Sequence, residues 1–450
     1  MIDYRQAQQL VLQQAHSFGH EEVPLEKAFG RVLAEPIYAD RDYPPFPRAT
    51  MDGYALRYND LETGLRKFTI AETVFAGDNP IHMLSEGECY KIMTGAAVPE
   101  CADIIIRRED IEEGPTTMVL RPGLSDPLPA GILPAPTNPA FPWRLFQNIA
   151  RRGEDLRAGA VVIDRNCRCE PAVMGLLATL GKTKVKVEKL PRITLLTTGN
   201  EVVPVGATIS SVQIRNSNRW LIEAALKKEG FGLAAFAHVP DDQVLLRGHL
   251  QQALMGDPAP AADPALPSDI IILCGGVSAG DADYVPGALE DLGVKRLFHK
   301  MAIRPGKPTW CGIYPGAPTS TATSEPSSAS QQSASAAQTQ RYSMIFALPG
   351  NPFSCLVNTI LLIQPYLQVC LGLPAPEPLG LLMGEPRKKR TPLDEFFPVN
   401  LSGSPARLTP VSLNGSGDIR LGRQANALAL HPAGSGDLEE GDEVLCYSFV

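Results

Sequence analysis

Positive charge is in short supply in this chain. Lys and Arg number 41 against 49 Asp and Glu over 450 residues, a net charge of −8. That balance excludes a generic hold on the phosphate backbone of DNA or RNA, though not a local cationic pocket for a small anion. Long apolar runs are lacking too. "TILLIQPYL" is interrupted by Pro365 and falls short of the roughly 18–20 residues of a membrane span. The seven histidines are scattered outside the polar motifs, so no Ser-His-Asp or Cys-His nucleophile can be assembled from sequence. Only Cys167 and Cys169 of the nine cysteines are near one another, and neither belongs to a zinc-ribbon spacing. Their number is odd, and the opening "MIDYRQAQQLVLQQA" is polar throughout, unlike a signal peptide. The expectation is a cytoplasmic protein with reduced thiols, no membrane and no nucleic acid.

With 44% apolar and 20% charged residues the chain reads as globular, and its length implies about two to four domains. Ala7, Leu10, Val11 and Ala15 share a helical face within residues 3–16. A turn at Pro24, a helical stretch and a stop at Pro36 follow. Residues 1–43, together with 147–186, are read as one N-terminal helical and extended segment. From 44 to 146 short strands predict a mixed β lobe, carrying the proline-rich insertion "RPGLSDPLPAGILPAPTNPAFP". Between 187 and 375, "RITLLTTG", "FGLAAFAHVP", "DIIILCGG" and "YSMIFALPG" alternate with amphipathic helices. That alternation predicts a central, mostly parallel α/β domain. It is interrupted at 315–341 by a Ser/Ala/Thr-rich stretch expected to be a disordered loop. Residues 376–450 return to short strands and predict a small C-terminal β domain.

In a parallel sheet, ligands bind beyond the carboxyl ends of the strands. "TTGNE", "PDD", "GGVSAGDAD" and "PGNP" all fall there. Gly275, Gly276 and Gly280 admit a ligand to backbone amides, Ser278 adds a hydroxyl, and the next helix adds its dipole. Glu201, Asp241 and Asp283 come from three strand ends and would repel a phosphate unless a divalent cation lies between. Mg²⁺ suits one or two carboxylates plus phosphate oxygens. Each acid alone is equally explained as a helix cap or a solvent-facing group. In "FHKMAIRPGKPTW", an extended backbone would point Lys300 and Arg304 the same way, with Lys307 beyond a rigid turn. Ser217 or Asn218 would cap the helix of "IRNSNRWL". Pro349, Gly350 and Asn351 form a strand-to-helix turn with Pro352 at the first helical position. Asp52 sits at an Asp-Gly step that reads as a hairpin turn, and Thr94-Gly95 lies in the same lobe.

Taken in order, "ATMDGYA", "IMTGAAVPECAD", "RRGEDL", "TTGNEV", "IRNSN", "CGGVSAGDADYV", "KMAIRPGKP" and "LPGNPFSCLV" resemble the molybdopterin molybdenumtransferases, the MoeA and gephyrin E-domain family. The likeness extends to "GSGDIRLGRQANALALHP" near the C-terminus. It implies Mg²⁺-dependent insertion of molybdate into adenylylated molybdopterin with release of AMP, the final step of molybdenum cofactor biosynthesis. It further implies a homodimer joined through the N-terminal segment, with a site between one subunit's α/β domain and its partner's β lobe. A molybdopterin adenylyltransferase would act upstream. Carried over by position, the catalytic group is Asp52, Thr94, Asp155, Glu201, Asp241, Asp283, Lys300 and Arg304, and Pro305 and Ser416 would meet molybdate. Arg304 stands where the family usually has lysine, which turns a compact ammonium into a planar fork. "KKRTPLDEFFPV" aligns too poorly to name a molybdate-binding arginine. The alternative is a non-catalytic scaffold of the gephyrin E-domain type, or a pterin- or nucleotide-binding protein.

Overall fold

The computed structural model describes residues 1–79, 82–121, 143–256, 266–277, 284–316, 342–415, 417–418 and 420–449. Most of both insertions, and Ser278, Gly280, Asp283 and Ser416, lie outside the described residues. Contacts divide the chain into two compact units. One comprises Met1–Ala34, Asn166–Met174 and Thr183–Val450, the other Glu35–Arg165 and Gly175–Lys182.

The second unit is built on a six-stranded sheet in the order Ile104–Arg107, Gly53–Leu56, Glu88–Ile92, Lys67–Val74, Thr117–Leu120, Ile111–Glu113. Only the pairing of Lys67–Val74 with Glu88–Ile92 is parallel. Side chains alternate across it: Tyr54 and Leu56 enter one core, Ala55 between them the other. Asp52-Gly53 is not the hairpin turn expected. The strand before it, Arg48–Ala49, pairs with Ile149–Ala150, whereas the strand after it pairs with two others. Gly53 is required by crowding, since a Cβ there would lie 2.1 Å from the Ile106 carbonyl oxygen.

In the first unit the central sheet uses β1 (Ile193–Thr198), β2 (Leu233–Val239), β3 (Ile270–Cys274), β4 (Lys295–His299), β5 (Trp310–Pro315) and β6 (Tyr342–Leu348), in the order β2-β1-β3-β6-β5-β4. The first four in that order are parallel, while β5 and β4 form an antiparallel edge. Every residue of β1 and β3 is buried because helices cover both faces. Helices α1 (Ser217–Lys228) and α4 (Pro352–Cys370) join Leu195 and Ile272 in one core. Helices α2 (Gln243–Met255) and α3 (Val285–Asp291) join Leu196 and Ile271 in the other. Helix α4 has 19 residues and is apolar and long enough to cross a membrane, yet it is 83% buried within the protein. It passes through Pro365 unbroken, and a π turn at Thr359–Ile363 precedes the missing donor.

The C-terminal strands close on themselves. Asp394–Ser402 pairs with both Arg407–Pro410 and Ala427–His431, and Leu379–Met383 and Glu443–Ser448 complete the ring. Ile303–Arg304 adds to it in parallel beside Asp394 and Glu395. At the N-terminus the helix is Tyr4–Leu12. Pro24 ends a strand paired with Lys184–Glu188, and the helix expected after it shrinks to one turn, Leu25–Lys27.

Candidate functional site

From β1 the chain crosses to β2 on one side and then returns past β1 to β3 on the other. The carboxyl ends of β1 and β3 therefore diverge into a crevice. Gly275 (φ +102°) and Gly276 (φ +67°) lie at its floor. A Cβ on Gly275 would stand 2.5 Å from Thr198 Oγ1, and one on Gly276 2.9 Å from a Val285 methyl. The third wall is the turn after β6. Gly275 N–H donates to the Leu348 carbonyl at 3.0 Å, and Asn218 Nδ2 donates to the Gly350 carbonyl at 2.6 Å. The Asn218 Oδ1 is buried without a partner among the described residues. Asn218 thus ties α1 to this turn, but it is not the cap. Asn216 is, because its Oδ1 accepts from Arg219 N–H at 3.2 Å while its Nδ2 donates to Thr197 Oγ1 at 2.8 Å. Ser217 is the first helical residue.

The acids sit on the rim. Asn200 and Asp241 exchange two hydrogen bonds of 3.1 Å, backbone to side chain in both directions, which lock the ends of β1 and β2. Next to Asn200, Glu201 lies over Gly199, where a Cβ would come within 2.7 Å of its Oε2. Among the described residues no group of three His, Cys, Asp or Glu could enclose a metal. Two solvent-accessible carboxylates linked through Asn200 fit a Mg²⁺ that keeps its waters and takes phosphate oxygens, not a closed protein cage.

Beside the crevice is a cavity of about 1050 Å³. Arg304, Pro305 and Lys307 line it from one turn, Pro349 and Asn351 from the turn after β6, and Arg387, Lys388 and Arg390 from the segment entering the barrel. The Arg304–Pro305 peptide is cis, and Gly306 is held so close that a Cβ would lie 2.5 Å from Asn358 Nδ2. Arg304, Lys307, Lys388 and Arg390 are exposed, and their side chains make no ion pair among the described residues, although the Arg390 N–H donates to Glu395 Oε2 at 3.4 Å. Lys300 is not among the lining residues. Its backbone is left-handed, φ +71°, because its N–H and carbonyl are bonded to Thr309 and Ile2. The shared face expected for Lys300 and Arg304 needs an extended chain and does not exist. Ser416 is undescribed, but Gly415 lines the cavity and a Cβ on Gly417 would stand 3.4 Å from Asn351 Oδ1.

The basic run "PRKKR" in an acidic chain was the signal for Arg387, Lys388 and Arg390, which sequence reasoning left unassigned. Thr198 and Glu395 had no such signal, and Asn216 was passed over for its neighbours Ser217 and Asn218 as the helix cap.

In the other compact unit, strand pairing of Gly53 with Ile92 carries Asp52 to Thr94. Asp52 Oδ1 accepts from Thr94 N–H and Oγ1–H, both at 2.7 Å. Those two donors hold its carboxyl below the usual range. Asp155 is exposed, and its N–H donates to the Tyr43 carbonyl at 3.0 Å.

Three family models match in succession: the MoeA N-terminal region (domain I and II) over residues 2–181, a probable molybdopterin binding domain over 194–369, and the MoeA C-terminal region (domain IV) over 381–449. A molybdopterin molybdenumtransferase of Synechocystis is 31% identical over 76% of this chain and 75% of its own length. One of Synechococcus elongatus is 31% identical over 87% and 83%. The crystal structure of a molybdopterin biosynthesis MoeA protein from Pyrococcus horikoshii superposes with TM-score 0.74 at 28% identity, covering 100% of this chain and 99% of that one. Family models across nearly the whole sequence, relatives matched over most of their length and the shared multidomain fold agree, and the chain belongs to the MoeA family of molybdopterin molybdenumtransferases.

Proposed function

We propose that this chain is a transferase of molybdenum cofactor biosynthesis that inserts molybdate into adenylylated molybdopterin and releases AMP. The observation that carries the reading is a shared wall. The Pro349–Asn351 turn closes the glycine crevice on one side and lines the cationic cavity on the other. A pterin phosphate joined to AMP needs close backbone approach, which Gly275 and Gly276 allow. A tetrahedral dianion needs cations without acid partners, which Arg304, Lys307, Lys388 and Arg390 supply. A ligand spanning the turn would bring phosphate and molybdate into adjoining compartments and supply the proximity that insertion requires.

Glu201 and Asp241 are the described residues that would hold Mg²⁺, with Asp283 as the third expected carboxylate. When bound, the ion neutralises phosphate charge beside these acids. Asn200 holds Asp241 at the rim and Gly199 leaves room for the Glu201 carboxylate. The Asp52–Thr94 pair, Asp155 and Lys300 are taken as further members of the site, and a homodimer as its working form. Size-exclusion chromatography with light scattering would return twice the chain mass; a monomer at assay concentration would rule the dimer out.

The deciding assay supplies adenylylated molybdopterin and Mg²⁺ and follows AMP with and without molybdate. We expect molybdate-dependent release, reduced about 100-fold or more in Glu201→Ala and Asp241→Ala. Equal turnover in both variants would place the chemistry elsewhere. Tight AMP binding with no release under any condition would favour a nucleotide-binding protein.

A further inference from the structure

The cavity described above contains one buried ion pair as well as free cations. Arg387 Nη2 meets Glu395 Oε1 at 2.7 Å, with only 10% and 8% of the two side chains exposed. Arg387 also lies 4.0 Å over the Phe397 ring and contacts Nδ1 of His431 through Nη1 at 2.6 Å. His431 is fully buried, and its Nε2 is 2.8 Å from the Gly436 carbonyl oxygen. Arginine only donates, and a carbonyl oxygen only accepts. The ring must therefore be neutral, with its proton on Nε2 and the Nδ1 lone pair turned to Arg387.

From this geometry we propose that His431 is a positioning residue for the oxyanion cavity: its neutral ring holds Arg387 on Glu395, so that the one carboxylate among the described lining residues stays masked from an incoming dianion. The inference rests on the assignment of molybdate to this cavity. A proton on Nδ1 would set an imidazolium N–H against a guanidinium N–H. Arg387 would be displaced, and Glu395 would face the cavity with only the Arg390 N–H, at 3.4 Å, still donating to it.

The charged groups around the ring come from every neighbouring segment. Glu395 and Asp394 lie on the paired strand, Arg387 and Lys389 on the segment that enters the barrel, and Asp437 on the turn after His431. Lys389 donates to the His431 and Pro432 carbonyls, which adds a cation and opposes a second proton there. Burial, ahead of the nearby Lys389 and Arg387 charges, already lowers the affinity of this ring for a proton.

The test uses the full chain and molybdate alone, kept dilute enough to remain the monomeric tetrahedral dianion, titrated calorimetrically between about pH 5.5 and about pH 8. The wild type should bind at the upper end and weaken as the pH falls through the folded value of His431. His431→Asn keeps an acceptor near the Nδ1 position but cannot titrate. It should bind within about threefold of wild type at about pH 8 and lose the acid weakening. His431→Phe removes the acceptor and should bind about tenfold more weakly or worse at every pH. Acid weakening of equal size in wild type and His431→Asn overturns the proposal while leaving the cavity assignment intact. A wild type that takes up no molybdate at about pH 8 overturns the assignment, and the proposal with it. A readout free of ligand guards against a misfolded Phe variant. ¹⁵N NMR of histidine-labelled wild type should show His431 as the Nε2–H tautomer, and a Nδ1–H tautomer contradicts the proposal.

Discussion

A methyl group at Gly275 would meet Thr198 Oγ1 at 2.5 Å on a backbone already at φ +102°, so both space and conformation forbid it. Gly275→Ala is expected to lower stability by about 1–3 kcal/mol, through left-handed strain and a shifted β1 end. Gly248 gives the contrast. It lies exposed in the middle of α2, and an added methyl would meet nothing within 4 Å, so Gly248→Ala should add about 0.5–1 kcal/mol. Urea midpoints of the two variants should move in opposite directions; equal shifts would mean that the crevice floor is not strained. Thr94 allows a second test at this scale. Its N–H and hydroxyl both serve Asp52, and they are the leading reasons that carboxyl titrates low. Thr94→Val removes one donor, so the Asp52 titration followed by NMR should move up toward the ordinary carboxylate value. Thr94→Ser should leave it in place. The glycine requirement was legible from a strand that runs into Gly-Gly, and so was the strand-end position of Glu201 and Asp241. The Asp52–Thr94 bond was not, because it depends on the register of Gly53 against Ile92, which no local pattern encodes.

Among elements, helix α1 shows how a local signal can be misread by one residue. "RNSN" offers three capping side chains, and sequence statistics do not choose among them. Burial chooses Asn216, whose amide also meets Thr197 Oγ1, itself 3.0 Å from His238 Nδ1. Asn216→Ala removes the cap and leaves a buried hydroxyl short of a partner, an expected loss of about 1–3 kcal/mol in chemical denaturation. A loss under about 0.5 kcal/mol, the usual size of an exposed substitution, would show that the network contributes nothing. The same contrast between local and distant information separates the sheets. Fully apolar β3, and β1 with its apolar residues interleaved only with β-branched threonines, announce themselves as strands buried on both faces. The antiparallel edge of β4 and β5 does not, since Lys295–His299 mixes charged and apolar residues on a half-covered edge. Closure of the C-terminal barrel is also hidden. It depends on one strand, Asp394–Ser402, pairing with its hairpin neighbour Arg407–Pro410 and with the more distant Ala427–His431, and on Leu379–Met383 meeting Glu443–Ser448 at the far end of the chain. That closure places Arg387, Lys388 and Arg390 near the Arg304–Lys307 turn, so the cavity was legible as separate basic runs but not as one wall.

For the whole molecule, pH dependence follows from groups whose folded state disfavours protonation. Asp52, Glu113, Glu223, Glu395 and Asp418 all titrate low. Hydrogen-bond donors lead the cause in each except Glu395, where burial opposes the shift and Arg387 outweighs it. Each contributes stability that is present above the unfolded carboxylate value and lost as the pH falls through its lower folded value. Two histidines act earlier. His431 and His299 are both held below the ordinary histidine value of 6.5, chiefly by burial and then by neighbouring cations. The unfolded chain therefore binds their protons first, so their contribution is intact above about pH 6.5 and erodes as acid approaches their folded values. The denaturation midpoint should be flat from about pH 8 to about pH 7 and decline by about pH 5.5, well before the carboxylates titrate. Because two rings share that decline, His431→Asn should remove only part of it, with His299 accounting for the remainder. A midpoint that stays level down to about pH 5 would mean that neither histidine is buried neutral in solution.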